Sequence, residues 1–139
     1  MDVTVNLKAF RLGPGTDLRE GYERQVGELG IEAGAIVTCV GSLTAATLRM
    51  ADESITQSLR GPFEIVSLVG TLSTNGCHCH MSVSDGAGRV VGGHVAYGCT
   101  IYTTAEIVVA ILQDTVFERI EDAETGFREL AVRMTDAND

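Results

Sequence analysis

The stretch GCHCHMSVSDGAGRVVGGHV, residues 76–95, decides how this chain folds and where its chemistry can sit. Two strand-like runs, His78–Asp85 and Arg89–Val95, flank Gly86-Ala87-Gly88. Three-residue hairpin loops commonly place a glycine in the left-handed region, and Gly88 stands at that position. All three histidines of the protein, His78, His80 and His94, fall inside this stretch. Strand side chains alternate between faces, so the H-x-H spacing turns His78 and His80 one way and Cys77 and Cys79 the other. The direction of His94 depends on the loop. With a three-residue loop, Asp85 pairs with Arg89 and His80 stands opposite His94, where facing Cβ atoms lie about 4.5–5.5 Å apart. A two- or four-residue loop, or a bulge at Gly92-Gly93, turns His94 away.

Three neutral imidazoles aimed at one point suit a zinc ion, with Zn–N near ~2.0–2.1 Å and a fourth position open to water, a carboxylate or a ligand. Glu64 and Glu106 are the only glutamates in the low-charge stretch 63–112. Each is a candidate to orient a ring, to fill the open position, or to act as general base if the chain is a zinc-dependent hydrolase or lyase. The competing interpretation makes the histidines hydrogen-bonding members of a polar pocket and pairs each glutamate with an arginine, Glu64 with Arg60 for example. No nucleophile elbow, phosphate loop or dinucleotide fingerprint is present.

Upstream and downstream the sequence reads as further strands and one helix. Residues 2–12 alternate, with Val3, Val5 and Leu7 on one face. The helix is expected from Asp17 to Leu29. Asp17 and Glu20 form a capping pattern, Leu18, Tyr22, Val26 and Leu29 recur at helical spacing, and Gly30 and Gly34 end it. AIVTCVGSL (35–43) is β-branched, with a bend or bulge at Gly41-Ser42 and renewed alternation over 44–50. FEIVSLVGTL (63–72) is a strand ending in the turn Thr74-Asn75-Gly76. CTIYTTAEIVVAIL (99–112) begins as a strand, but its later apolar run fits strand or helix equally. Residues 127–133 are a last strand, and the tail 134–139 is expected to fray.

Composition narrows the function. The 139-residue chain carries 10 basic and 19 acidic side chains, a formal charge of −9, and its cations are scattered. Such a balance opposes direct nucleic-acid binding. No apolar stretch approaches a membrane span, and no secretory signal pattern opens the chain, so a cytoplasmic location is expected. In that compartment Cys39, Cys77, Cys79 and Cys99 read as small buried hydrophobes rather than disulfides. Residues 63–112 hold only four charges, so their strands need cover on both faces. One short helix cannot supply it, and a homo-oligomer is expected to cover the rest.

The runs GPFEIVSLVGTLS (61–73), GCHCHMSVSDGAGRVVGGHV (76–95) and TIYTTAEIVV (100–109), with RLGPGTDL (11–18) and VGSLTAATLR (40–49), resemble the PPC (plants and prokaryotes conserved) domain family. The resemblance spans about residues 7–133. It implies a single α+β domain with a mostly antiparallel sheet, one principal helix and a homotrimeric assembly. For stand-alone prokaryotic members it implies a metal site, usually zinc, that carries over onto His78, His80 and His94. Plant members join the domain to an AT-hook, and prokaryotic relatives are often labelled DNA-binding by analogy. This chain contains no Arg-Gly-Arg-Pro hook core. The expectation is a trimeric zinc-binding module for a small ligand or protein partner, with a DNA-associated regulator and a zinc enzyme as alternatives.

Overall fold

Residues 2–135 are described by the computed structural model. Asp17, in an extended conformation, starts the helix: its carboxylate accepts the Glu20 amide at 3.0 Å, and α1 runs Leu18–Glu28. Leu18, Tyr22 and Val26 form its buried stripe, and Gly30, at φ 63°, lets the chain turn out of it. Gly34 has another role from the one expected. It opens a strand, and a Cβ there would lie 2.9 Å from the Ala110 carbonyl.

The strands are β1 (Val5–Leu12), β2 (Gly34–Arg49), β3 (Thr56–Leu72), β4 (His78–Ser84), β5 (Val90–Val95), β6 (Thr100–Leu112), β7 (Thr115–Glu121) and β8 (Arg128–Met134). The main sheet has the order β1-β6-β2-β3-β4-β5, antiparallel throughout. β5 also returns to the far end of β2, pairing Val95 with Leu48 and His94 with Arg49. The strands β2 to β5 therefore close into a ring. Closure needs Gly93: a Cβ on it would lie 2.6 Å from the Arg49 carbonyl. β2 stays continuous, with the expected irregularity at Gly41-Ser42 in its ladder with β6, which shifts register between Gly41 and Leu43; its ladder with β3 shifts just beyond, between Leu43 and Ala45.

The ambiguous 99–112 run is strand. Ile101, Ala105, Ile107 and Val109 point inward at period 2, and β6 lies between β1 and β2. The core gathers these with Leu43, Leu48, Ile65, Leu72, Met81, Val83 and Val95, and α1 closes it with Leu18 and Tyr22. The outer face is left bare and apolar: Leu7 is 65% exposed, Val40 61%, Val66 58% and Val69 56%.

β7 and β8 form a separate two-stranded sheet. β7 was not expected from the sequence, where TVFERIE mixes three charges into a short run. β8 lies one residue beyond the expected 127–133. The hairpin is fastened to the segments that flank the main sheet by the Phe117 amide on the Glu32 carbonyl, 2.9 Å, and the Arg119 amide on Asn75 Oδ1, 2.8 Å. The tail expected to fray begins inside β8, where Met134 pairs with Thr115; residues 136–139 lie outside the described residues. The molecule is thus a single α+β domain, mostly antiparallel sheet with one helix. Among the described residues no helix is long and apolar enough to cross a membrane.

Candidate metal centre

The hairpin has the loop that brings the histidines together. The Asp85 amide donates to the Arg89 carbonyl at 2.9 Å, and the Gly88 amide to the Asp85 carbonyl at 3.0 Å. The Asp85 carboxylate accepts the Ala87 and Arg89 amides at 2.8 and 2.9 Å, which fixes the three-residue turn, and Gly88 sits at φ 79°. The ladder then runs without a bulge through Gly92 and Gly93, and His80 faces His94. On the other side β3 sets Thr71 against His78 and Val69 against His80.

All three rings share the outer face of the sheet. Their centroids lie 4.9 Å (His78–His80), 5.2 Å (His78–His94) and 5.5 Å (His80–His94) apart. One nitrogen from each lies within 4.8 Å of the others. The Nε2 atoms of His78 and His80 are 3.2 Å apart. A tetrahedral zinc ion spaces its nitrogen ligands about 3.3 Å apart, so this pair already stands at ligand spacing. His94 Nδ1 is buried and has no hydrogen-bond partner. The donor set fits a borderline-soft divalent ion that takes imidazole.

Electrostatics favours the neutral form of His78 and His94. Burial, then the positive charge of Arg49 and the neighbouring histidines, pushes the His94 pKa down to about 4. Burial, then Arg119 and His80, lowers that of His78. Unprotonated rings offer lone pairs at neutral pH, as a metal requires.

Two glutamates singled out from sequence stand elsewhere. Glu64 faces Ser84, four residues along β4 from His80, so it shares the histidine face at about 13 Å along the strand. Glu106 lies between Val40 and Arg11 in the register and accepts a hydrogen bond from Thr104 at 3.2 Å. Neither belongs to the histidine cluster. The Glu64–Arg60 ion pair does not form either; among the described residues the ion pairs are Arg19–Glu23 and Arg133–Glu118. The charged groups beside the histidines are instead Arg49, Glu53, Arg119, Arg128 and Glu129. They come from β2, the β2–β3 loop and the β7–β8 hairpin, brought there by long-range pairing that leaves no local signal in the sequence. Two hollows flank the cup. One of about 460 Å³ runs past His80 and His94 along Ser67 and Ser82, and one of about 330 Å³ lies between His78, His94 and Arg119.

Known proteins share this architecture. A hypothetical protein from Salmonella enterica superposes with a TM-score of 0.93 at 39% identity, over 96% of this chain and 97% of that one. A metal-containing protein from Archaeoglobus fulgidus gives 0.81 at 28% identity, over 94% and 95%. A bifunctional GlmU protein from a Synechococcus strain is 44% identical over 129 residues, 93% of this chain. This chain spans only 21% of the length of the curated relatives it matches. The model of the Plants and Prokaryotes Conserved (PCC) domain matches residues 4–113, and with the fold and the ordered H-x-H and G-G-H strands in place, the chain belongs to that family.

Proposed function

We propose that this chain is a trimeric metal-binding module, holding zinc on His78, His80 and His94 and presenting its open coordination position to a small ligand or a protein partner. The observation that carries this is the convergence of three imidazole nitrogens within 4.8 Å, one ring keeping a buried, unpartnered Nδ1. The Archaeoglobus relative, described as metal-containing, adds support. The trimer rests on the bare face: Val40, Val66 and Val69 are more than half exposed, and a second and third copy of the chain would cover them. Four free cysteines suit a reducing, cytoplasmic setting. Glu64 and Glu106, the general bases a hydrolase reading named, stand away from the cup. A DNA-associated reading needs a broad basic surface, whereas the cations beside the cup are interleaved with Glu53 and Glu129.

Metal analysis after purification in chelator-free buffer, with light scattering on the same sample, tests this. The expected result is one zinc per chain and a mass three times 14.7 kDa. Val40→Asp is expected to yield monomer that still binds zinc. Metal-free protein that takes up no added zinc overturns the metal assignment, and a wild-type monomer overturns the assembly.

A further inference from the structure

The charged groups around the cup are arranged unlike those of the rest of the molecule. The protein has 19 acidic and 10 basic side chains, yet the wall beside His78 and His94 carries Arg49, Arg119 and Arg128 against Glu53 and Glu129. Arg49 stands directly opposite His94 across the β2–β5 pairing, on the same face of the sheet. Its guanidinium makes no hydrogen bond and no ion pair among the described residues. Arg119 donates to Thr71 Oγ1 at 2.8 Å, the residue paired with His78. Arg128 donates to the Arg119 carbonyl at 2.9 Å, which ties the two together. Neither has a carboxylate partner within ion-pair distance among the described residues.

Cations next to a cation site need a reason. Three guanidinium groups around neutral imidazoles repel an incoming divalent ion, and two glutamates offset only part of that charge. With the metal seated, the hollow between β5 and the β7–β8 hairpin is strongly positive. An anion on the metal's open position relieves this. Guanidinium forks match the paired oxygens of carboxylate and phosphate, and hydrogen bonds between ionised partners are the stronger kind. A hollow of about 330 Å³ is at the small end of ligand sites.

We propose that the open side of the three-histidine cup takes a small oxyanion, a carboxylate- or phosphate-bearing molecule, one oxygen on the metal and the rest of its charge met by Arg49, Arg119 and Arg128. This rests on the metal reading above. Two of the three arginines lie beyond residues 4–113, so the β7–β8 hairpin contributes Arg119 and Arg128 to the recognition wall, and the family core contributes Arg49 and the metal ligands.

Cobalt(II) in place of zinc tests it, because its visible bands report its ligands. Cobalt titration measures metal binding; titration of the cobalt form with inorganic phosphate, and separately with succinate, measures the anion. Arg49 and Arg128 are exposed, so Arg49→Gln and Arg128→Gln, singly and together, leave the core untouched. The expected result is a band shift saturating at millimolar phosphate or succinate or both, the responding anion identifying the source. The double variant should bind the anion about tenfold more weakly and cobalt about threefold more tightly, since repulsion is removed. A purely structural role for the arginines predicts neither. Unchanged bands at tens of millimolar of both anions, or equal anion affinities in wild type and double variant, overturn this inference alone. Failure to bind cobalt at all removes the metal reading and this one with it.

Discussion

Replacing His94 by alanine separates the metal centre from the fold. The ring is half-buried and its Nδ1 has no partner, while the strand around it is held by backbone pairing to β4 and β2. Removing the ring leaves those ladders intact and deletes an unsatisfied polar atom, so metal-free stability should change by less than about 1 kcal/mol. The metal-bound form should change far more. A four-ligand zinc site carries about 10–16 kcal/mol, or roughly 3 kcal/mol per ligand, so losing one of three weakens binding about 100- to 1,000-fold. At zinc equal to about 100 times the wild-type dissociation constant, linkage stabilises the wild type by about 2.7 kcal/mol. For a chain of this length that corresponds to a Tm rise of about 8–10 °C. At the same zinc concentration His94→Ala should gain less than about 0.4 kcal/mol, roughly 1 °C. Thermal unfolding followed by circular dichroism, with and without zinc, measures all four midpoints. An equal zinc-induced rise in both proteins would place the metal elsewhere, and no rise in the wild type would leave the cup without a metal.

Further outcomes follow from the same geometry. Gly93→Ala pushes a Cβ to 2.6 Å from the Arg49 carbonyl, so β5 must part from β2; a loss of about 2 kcal/mol in urea unfolding and weaker metal binding are expected. Gly86→Ala, in the hairpin loop with nothing within 4 Å, should stay within about 0.5 kcal/mol of wild type, and comparable losses at both glycines would contradict this account of closure. Burial raises the thiol pKa of Cys39 to about 11 and of Cys79 to about 12, so native protein at pH 8 should react slowly with a thiol reagent, the partly buried Cys77 first, and with all four thiols in denaturant. Rapid labelling of Cys79 in the native state would show an opening of the core. In metal-free protein the folded His94 pKa, near 4, lies below its usual 6.5, so the unfolded chain binds the extra proton in that interval and stability rises with pH across it. Discounted for solvent screening of a half-exposed ring, the gain is about 1 kcal/mol; it should be complete above pH ~6.5, fall away toward pH ~4, and shrink in His94→Ala to the part that His78, whose pKa is also lowered, supplies.

Local signals made the hairpin legible and long-range pairing hid its surroundings. Gly88 pointed to the three-residue closure among the loops the sequence left open, and once the Asp85–Arg89 pairing settles that loop, parity carries the register to His80 and His94. The helix was legible for a similar reason: cap, stripe and stop all lie within a few residues. The later half of 99–112 was ambiguous because an apolar run has no period until its neighbours are known. Once β6 lies between β1 and β2, Glu106 faces out and Ile107 faces in. The N-terminal alternation marks a strand, but which of its faces meets the core depends on its pairing with β6, which leaves Val5 and Leu7 half or more exposed. Arg49, Arg119 and Arg128 could not have been assigned to the site from sequence. Arg49 arrives through the return of β5 to β2, and the others on a hairpin whose first strand has too many charges to announce itself.

The placement of the donors also determines what a metal can contribute. His78 and His80 share one strand, and His94 faces His80 from the adjoining strand of the same hairpin. An ion bridging them closes only a short loop that backbone hydrogen bonds already close, so it removes little entropy from the unfolded chain. The core lies on the other face of the sheet, gathered around Tyr22, Leu43, Met81 and Ile107, and owes nothing to the cup. This differs from small zinc domains, where metal binding is the folding free energy. Here the strand register assembles the ligands in advance, metal-free protein should be folded, and the binding energy of the ion remains available to hold whatever occupies its open side.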